Sequence, residues 1–247
     1  MAFLAQSRYE WRKGSMIYIT GDTHGDFSRY FYFVSRFTPN PGDVMIVLGD
    51  AGLNYYGGRA DGDRKKFVSE FPFVTFCIHG NHEMRPGNIA SYRTKTFCGG
   101  TVWYEEEYPN LLFAKDGEIY RLGGRSCLAI GGAYSMDKEA RLAHGQKWFA
   151  DEQPSAAIKA EVEEKLVACG YRVDVVLSHT CPLKYQPAEA FLPGADQSKA
   201  DKSTEGWLDE IENKLDYQKW YCGHYHISKK VGKLQFMFED IDRWGES

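Results

Sequence analysis

The sequence predicts an α/β fold with its functional groups at the carboxyl ends of strands, and three observations carry that reading. Short, apolar, β-rich runs stop abruptly at glycine. Segments with helical periodicity separate the first of these runs. Side chains with nitrogen and oxygen donors follow the glycines directly, which is where open α/β sheets bind ligands.

Residues 16–20 form the first run and end at Gly21. Residues 27–37 place apolar and aromatic side chains on a helical period, and Pro39 and Pro41 close that helix. A buried strand over 44–48 stops at Gly49, a Gly/Asp-rich loop spans 57–63, a helix is expected over 64–71, and a third strand covers 73–78 before Gly80. Residues 111–114, 118–122 and 126–130 read as short strands joined by Asp-Gly and Gly-Gly turns, a pattern of antiparallel pairing. Helices follow over 138–149 and 156–168, then a buried strand over 173–177 that stops at Ser178-His179. The Pro/Ala/Lys-rich stretch 183–202 reads as an exposed loop, which either lies over the site or is a tolerated surface insertion. A helix over 207–215, a strand over 219–221 and a closing strand over 234–238 complete the pattern. No repeat, low-complexity tract or linker interrupts it, so residues 16–247 are expected to form one domain. Residues 1–15 are polar and charged, either an extension ahead of that domain or an ordinary ordered arm.

Composition narrows the function classes. The 247 residues are 43% hydrophobic and 26% charged, as in a folded protein with a substantial core. A formal net charge of −4 argues against a long duplex nucleic acid as partner, yet permits a local, metal-centred positive pocket. The 6 cysteines are dispersed without a Cys-x-x-Cys pair, as expected of reduced thiols in a cytoplasmic protein. No stretch approaches the roughly 20 apolar residues of a membrane span.

The chain has 7 histidines, and His24, His82, His179, His224 and His226 all fall just after apolar runs. Their companions there are Asp22, Asp50 and Asn81. Asp22 and His24 alternate at a strand end, so both can face one ion, and His224 and His226 repeat that spacing. Asp50 is the natural bridging carboxylate, while Asn81 adds a neutral amide oxygen. Imidazole, carboxylate and amide donors without thiolate suit two adjacent ions of manganese, iron, zinc or nickel better than calcium.

In order, Asp-x-His, Gly-Asp, Gly-Asn-His-Glu, His and Gly-His-x-His run from Gly21 to His226. This series resembles the calcineurin-like metallophosphoesterase superfamily, in its small bacterial or phage form. The resemblance implies a two-sheet β-sandwich flanked by helices, in four αββα layers. It also implies one metal on Asp22, His24, Asp50 and His226 and another on Asp50, Asn81, His179 and His224. His82 would stand beside them as the catalytic acid for the leaving oxygen. The implied reaction is hydrolysis of a phosphomonoester or phosphodiester by a metal-bridging hydroxide. Two departures stand out. Asp50 is followed by Ala51-Gly52-Leu53, and His79 occupies the place of an arginine that some relatives carry. They speak against a protein phosphatase and leave the carboxylate that would orient His82 unassigned.

Tyr134, Arg141 and Trp148 follow a Gly131-Gly132 pair and could line a pocket wall for a base or sugar; an ordinary turn and helix with aromatic anchors is the other reading. His79 is expected to be a buried histidine or a substrate contact, His144 to face solvent, and Cys181 and Cys222 to pack as small residues. A small phosphate ester or nucleotide is the expected substrate. The alternatives are a nuclease and a catalytically silent binding scaffold of the same fold. The scaffold reading is disfavoured because every ligand position is filled.

Overall fold

The computed structural model describes residues 14–191 and 197–244. Most of the N-terminal segment 1–15, and the centre of the 183–202 loop, thus lie outside the described residues. One sheet runs, edge to edge, through Asp242–Arg243 (β13), Ile17–Thr20 (β1), Val44–Val47 (β2), Val74–Cys77 (β3), Leu111–Ala114 (β6), Gly100–Tyr104 (β5) and Arg93–Phe97 (β4). The other runs through Lys229–Val231 (β11), Leu234–Phe236 (β12), Lys219–Cys222 (β10), Val175–Ser178 (β9), Arg125–Ile130 (β8) and Ile119–Leu122 (β7). Within them β1–β2–β3 are parallel to one another, as are β8–β9–β10.

Strict alternation sorts the core into layers. Ile17 and Ile19 of β1, Val44 and Ile46 of β2, Cys127 and Ala129 of β8, and Val175 and Leu177 of β9 share one buried cluster between the sheets. Their neighbours point the other way. Tyr18, Met45 and Val47 pack with Tyr30 and Phe33 of helix α1 (Ser28–Phe37) and Val68 of α2 (Arg59–Ser69). Leu128, Ile130 and Val176 pack with Val162 and Leu166 of α4 (Ala156–Ala168) and Trp207 and Leu208 of α5 (Ser203–Glu212). Three apolar clusters therefore separate four layers, helices outside and two sheets within. Among the described residues no helix is long and apolar enough to cross a membrane.

Local chemistry explains where the elements depart from the sequence pattern. Helix α2 begins at Arg59 because Asp61 accepts hydrogen bonds from the backbone N–H of Tyr56 (3.0 Å) and Gly57 (2.7 Å), so the supposed loop is its first turn. The helix expected over 138–149 is only α3 (Lys138–Ala143), since Gly145 turns the chain at φ 67°. Strands β6 and β7 do not pair, contrary to the antiparallel run expected there: the Asp116-Gly117 turn carries the chain from one sheet to the other. Of the three strands in that run, only β7 and β8 pair with each other, antiparallel. The β4–β5 hairpin was not foreseen. Its first strand is largely exposed and polar, and Cys98 (φ 50°) and Gly99 (φ 87°) make its turn.

Phe76 of β3 meets Tyr120 of β7 edge to face, with ring centroids 5.0 Å apart, and joins the two sheets. Both side chains are fully buried. Phe76→Ala is expected to cost about 3–5 kcal/mol of stability, read as a fall in the urea midpoint; a midpoint within error of wild type would show that the sheets do not depend on this contact.

Candidate metal centre

Five loops at the carboxyl ends of β1, β2, β3, β9 and β10 converge on one point, and their backbones are tied to each other. The His24 N–H donates to the Asp50 carbonyl (2.8 Å), and the Gly223 N–H to that of His179 (2.9 Å). Asp22 Oδ1 accepts from the His224 N–H (2.9 Å), and Asp50 Oδ1 from the His82 N–H (2.8 Å). These approaches leave no room for a side chain at two of the motif glycines. A Cβ on Gly80 would lie 2.0 Å from Asp50 Oδ1, and one on Gly223 2.3 Å from Asp22 Oδ1. Four of the donor residues, His24 (φ 47°), Asp50 (46°), His224 (67°) and His226 (51°), hold left-handed backbone that non-glycine residues rarely adopt.

The donor atoms form two adjoining groups. In one, His226 Nε2 lies 2.9 Å from His24 Nε2 and 3.2 Å from Asp22 Oδ2. In the other, Asn81 Oδ1 lies 2.8 Å from His179 Nε2 and 3.1 Å from His224 Nδ1. Asp50 Oδ2 stands between them, 4.0 Å from His24 Nε2 and 3.7 Å from His179 Nε2.

These residues fit metal ions. Asp22 and Asp50 are each 1% exposed, and among the described residues they pair only with histidines. Arg29 reaches the Asp22 backbone carbonyl (3.0 Å), not its carboxylate. Buried carboxylates with no fixed cation, ringed by imidazole and amide donors, call for a mobile one. The protonation states agree. Burial pushes the Asp22 carboxyl up, but the hydrogen bond from His226 and the charges of His179, His226 and His24 outweigh it and hold it below the usual range. Burial, followed by the His179 charge, lowers His224 to about 3, so its ring stays neutral with a lone pair to offer. Burial, with the Asp50 charge, raises Glu83 to about 8; this carboxyl accepts the Gly80 N–H (3.0 Å) and adds no negative charge at neutral pH.

Neighbouring side chains hold the donors in place. His179 Nδ1 donates to the Leu48 carbonyl (2.8 Å), which turns Nε2 to the centre. The Asn81 amide donates to Ser135 Oγ (2.8 Å), which donates to Glu152 (2.5 Å), so the amide oxygen is the atom turned to the centre. Trp148 donates its indole N–H to the same carboxylate (2.8 Å) and lines neither cavity beside the centre. Tyr134 lines one cavity and Arg141 the other.

Arg141 Nη2 lies 3.2 Å from His82 Nε2. A guanidinium only donates, so that nitrogen accepts and the ring is neutral. Burial first, and Arg141 among the nearby charges, lower the His82 pKa in agreement. Asp137 lies beside both. Its Oδ2 accepts from Arg141 Nε (2.7 Å), while its Oδ1 has no hydrogen-bond partner among the described residues and stands 4.0 Å from His82 Nε2. Sequence reasoning did not single out Asp137. Its only signal was its place four residues before Arg141 in the segment after Gly131-Gly132.

The remaining residues fall away from the centre. His79 is buried with neither ring nitrogen hydrogen-bonded, and burial lowers its pKa strongly. His144 is exposed. Cys181 and Cys222 are free, buried thiols whose pKa burial raises.

Comparison with known proteins extends this picture. Residues 15–228 match the family described as Calcineurin-like phosphoesterase. Among solved structures the chain is similar to the phosphopantetheinyl hydrolase PptH from Mycobacterium tuberculosis, at 15% identity and a TM-score of 0.44, over 91% of this chain and 88% of that one. It is also similar to TT1561 of Thermus thermophilus, at 12% identity and a TM-score of 0.50, over 93% and 97%. The TT1561 likeness bears on the fold alone. No curated protein matches the chain.

Asp50→Asn is expected to weaken binding of two ions together, because Asp50 Oδ2 faces both donor groups; loss of a single ion by elemental analysis would make Asp50 a terminal ligand. Ser135→Ala frees the Asn81 amide and should weaken one ion by about 10–100-fold, with calorimetry as the check.

Proposed function

The chain belongs to the calcineurin-like phosphoesterase family, and on that premise we propose that it hydrolyses a phosphomonoester or phosphodiester in a small molecule, using two metal ions that share Asp50. The observation that carries this reading is the position of Asp50 Oδ2 between two separate donor groups. Asp22, His24 and His226 would complete one site; Asn81, His179 and His224 the other. When bound, such ions supply positive charge to phosphoryl oxygens and make water a nucleophile near neutral pH.

The protein's own groups do the rest. His82 faces the cleft beside both donor groups and carries the proton for the leaving oxygen. For that role Nε2 must bear a proton, and Asp137 is the group that supports the resulting charge. Arg141, now donating to that nitrogen, turns to the phosphate, where a guanidinium fork suits two oxygens. Arg141 thereby stands in for the arginines that this sequence lacks at their usual places. Glu83, kept neutral by burial, spares the centre a further charge.

A small substrate is supported by the adjoining cavity of about 380 Å³, walled by Tyr134, Met136, Phe191, Tyr225 and Ile227. Unpaired thiols support a reducing, cytoplasmic setting.

The test is hydrolysis of p-nitrophenyl phosphate beside bis-p-nitrophenyl phosphate after loading with Mn²⁺, Ni²⁺ or Zn²⁺, with Asp50→Asn as control. Cleavage of either that is lost in the control supports the reading and sets the ester class. Silence on both, with two ions bound, would favour a non-catalytic scaffold. His82→Ala is expected to keep the ions and slow turnover by about 10²-fold or more, most for poor leaving groups; wild-type rates on a poor leaving group would remove His82 from proton transfer.

A further inference from the structure

The cleft beside the donor groups has two unlike arms, which meet at His82. One is the apolar cavity just described, whose lining includes Asp137, Asp201 and the buried Glu205 against a single cation, Lys202. The other is a groove of about 560 Å³ lined by His24, Tyr55, Tyr56, Arg64, Arg141 and Lys147. No carboxylate lines this second arm among the described residues. That is a local reversal, because the chain as a whole has 34 acidic against 30 basic side chains.

Two of its three cations are not neutralised. Arg141 is paired with Asp137. Arg64 donates to the Gly52 carbonyl (3.0 Å) and lies over the Tyr56 ring at 4.9 Å. Lys147 donates to the Tyr56 carbonyl (2.6 Å). Neither has a carboxylate partner among the described residues. Carbonyls and a ring face fix the direction of these charges but leave them unbalanced. A guanidinium fork and an ammonium, held in a groove beside the metal-donor groups, are suited to an anionic oxygen cluster.

We propose that this groove is a second anion subsite, binding a further phosphate that the substrate carries beyond the one at the metal centre. The proposal rests on the phosphoesterase reading for the first phosphate. Asp137 and Asp201 on the other arm repel a second anion, so the substrate has one orientation: its extra phosphate toward Arg64 and Lys147, its apolar remainder toward Tyr134 and Phe191. Tyr55 and Tyr56 provide ring faces for the sugar or base that spaces two phosphates.

The test compares thymidine 5′-phosphate with thymidine 3′,5′-bisphosphate, by calorimetry on the Mn²⁺-loaded His82→Ala protein, whose turnover is expected to be slow. The bisphosphate is expected to bind at least about tenfold tighter, the size of one charge-assisted contact. Lys147→Gln and Arg64→Gln, each added to that background, should shrink the ratio of the two Kd values. Lys147 is exposed and away from the metal loops, so its substitution keeps the test clear of misfolding. Equal Kd values before either substitution, or a ratio that survives both, would overturn the proposal. The 5′-phosphate bearing a 3′-methyl phosphate diester identifies the source. Tightening with the diester supports the subsite and assigns it to a strand phosphate; tightening with the free 3′-phosphate alone supports it and assigns it to a terminal one. Phosphate release by the wild type is followed in parallel. No release here and silence on both nitrophenyl esters, with the ratio intact, removes the phosphoesterase reading and leaves the subsite; release with equal Kd values removes the subsite alone.

Discussion

Each of two buried carboxylates divides its oxygens between structure and chemistry, and the centre depends on that division. Asp22 and Asp50 give Oδ1 to a backbone N–H of a distant loop and Oδ2 to the histidines. The first contact fastens the strand-end loops together across both sheets. The second leaves negative charge at their meeting point with no lysine or arginine to balance it. Burial is tolerable only because the backbone donors, four imidazoles and a cation from outside can share the load. Gly80 and Gly223 follow from the same crowding, since a Cβ at either would displace a carboxylate oxygen.

This explains which parts were legible in sequence. Metal donor atoms have to converge on one point, so they occur at strand ends in short, dense segments, and seven candidate donors with His82 could be picked out there. The strands β1, β2, β8 and β9 were also plain as apolar runs, though which side faces the other sheet and which the helices is read only from the structure. Partnership across long separations was not plain. Asp137 approaches His82 from a segment 55 positions away, and nothing in its local sequence marks it as a partner. The split of β6 and β7 between sheets was hidden for a related reason. Turn residues announce a reversal but not which sheet receives the next strand, and here that choice is held by Asp116, which accepts from the Gly131 N–H (2.6 Å) and from Arg85 (2.6 Å). The β4–β5 hairpin was hidden by β4, an exposed, charged edge strand where little apolar periodicity is needed.

Charge is distributed to match. The chain is acidic overall, yet one arm of the cleft gathers unbalanced cations and the other is apolar with carboxylates in its lining. Such asymmetry does not strengthen the fold. It orients whatever enters, since a polyanion meets attraction along one path and repulsion along the other.

The left-handed backbone at His24, Asp50, His224 and His226 has a consequence for how the molecule ages and evolves. Each such residue costs on the order of 1 kcal/mol relative to relaxed backbone, and glycine would relieve it at the price of a ligand. Durability and chemistry therefore pull in opposite directions at these four positions. A lineage released from selection for catalysis would be expected to drift toward glycine there first, gaining robustness as it loses its ions.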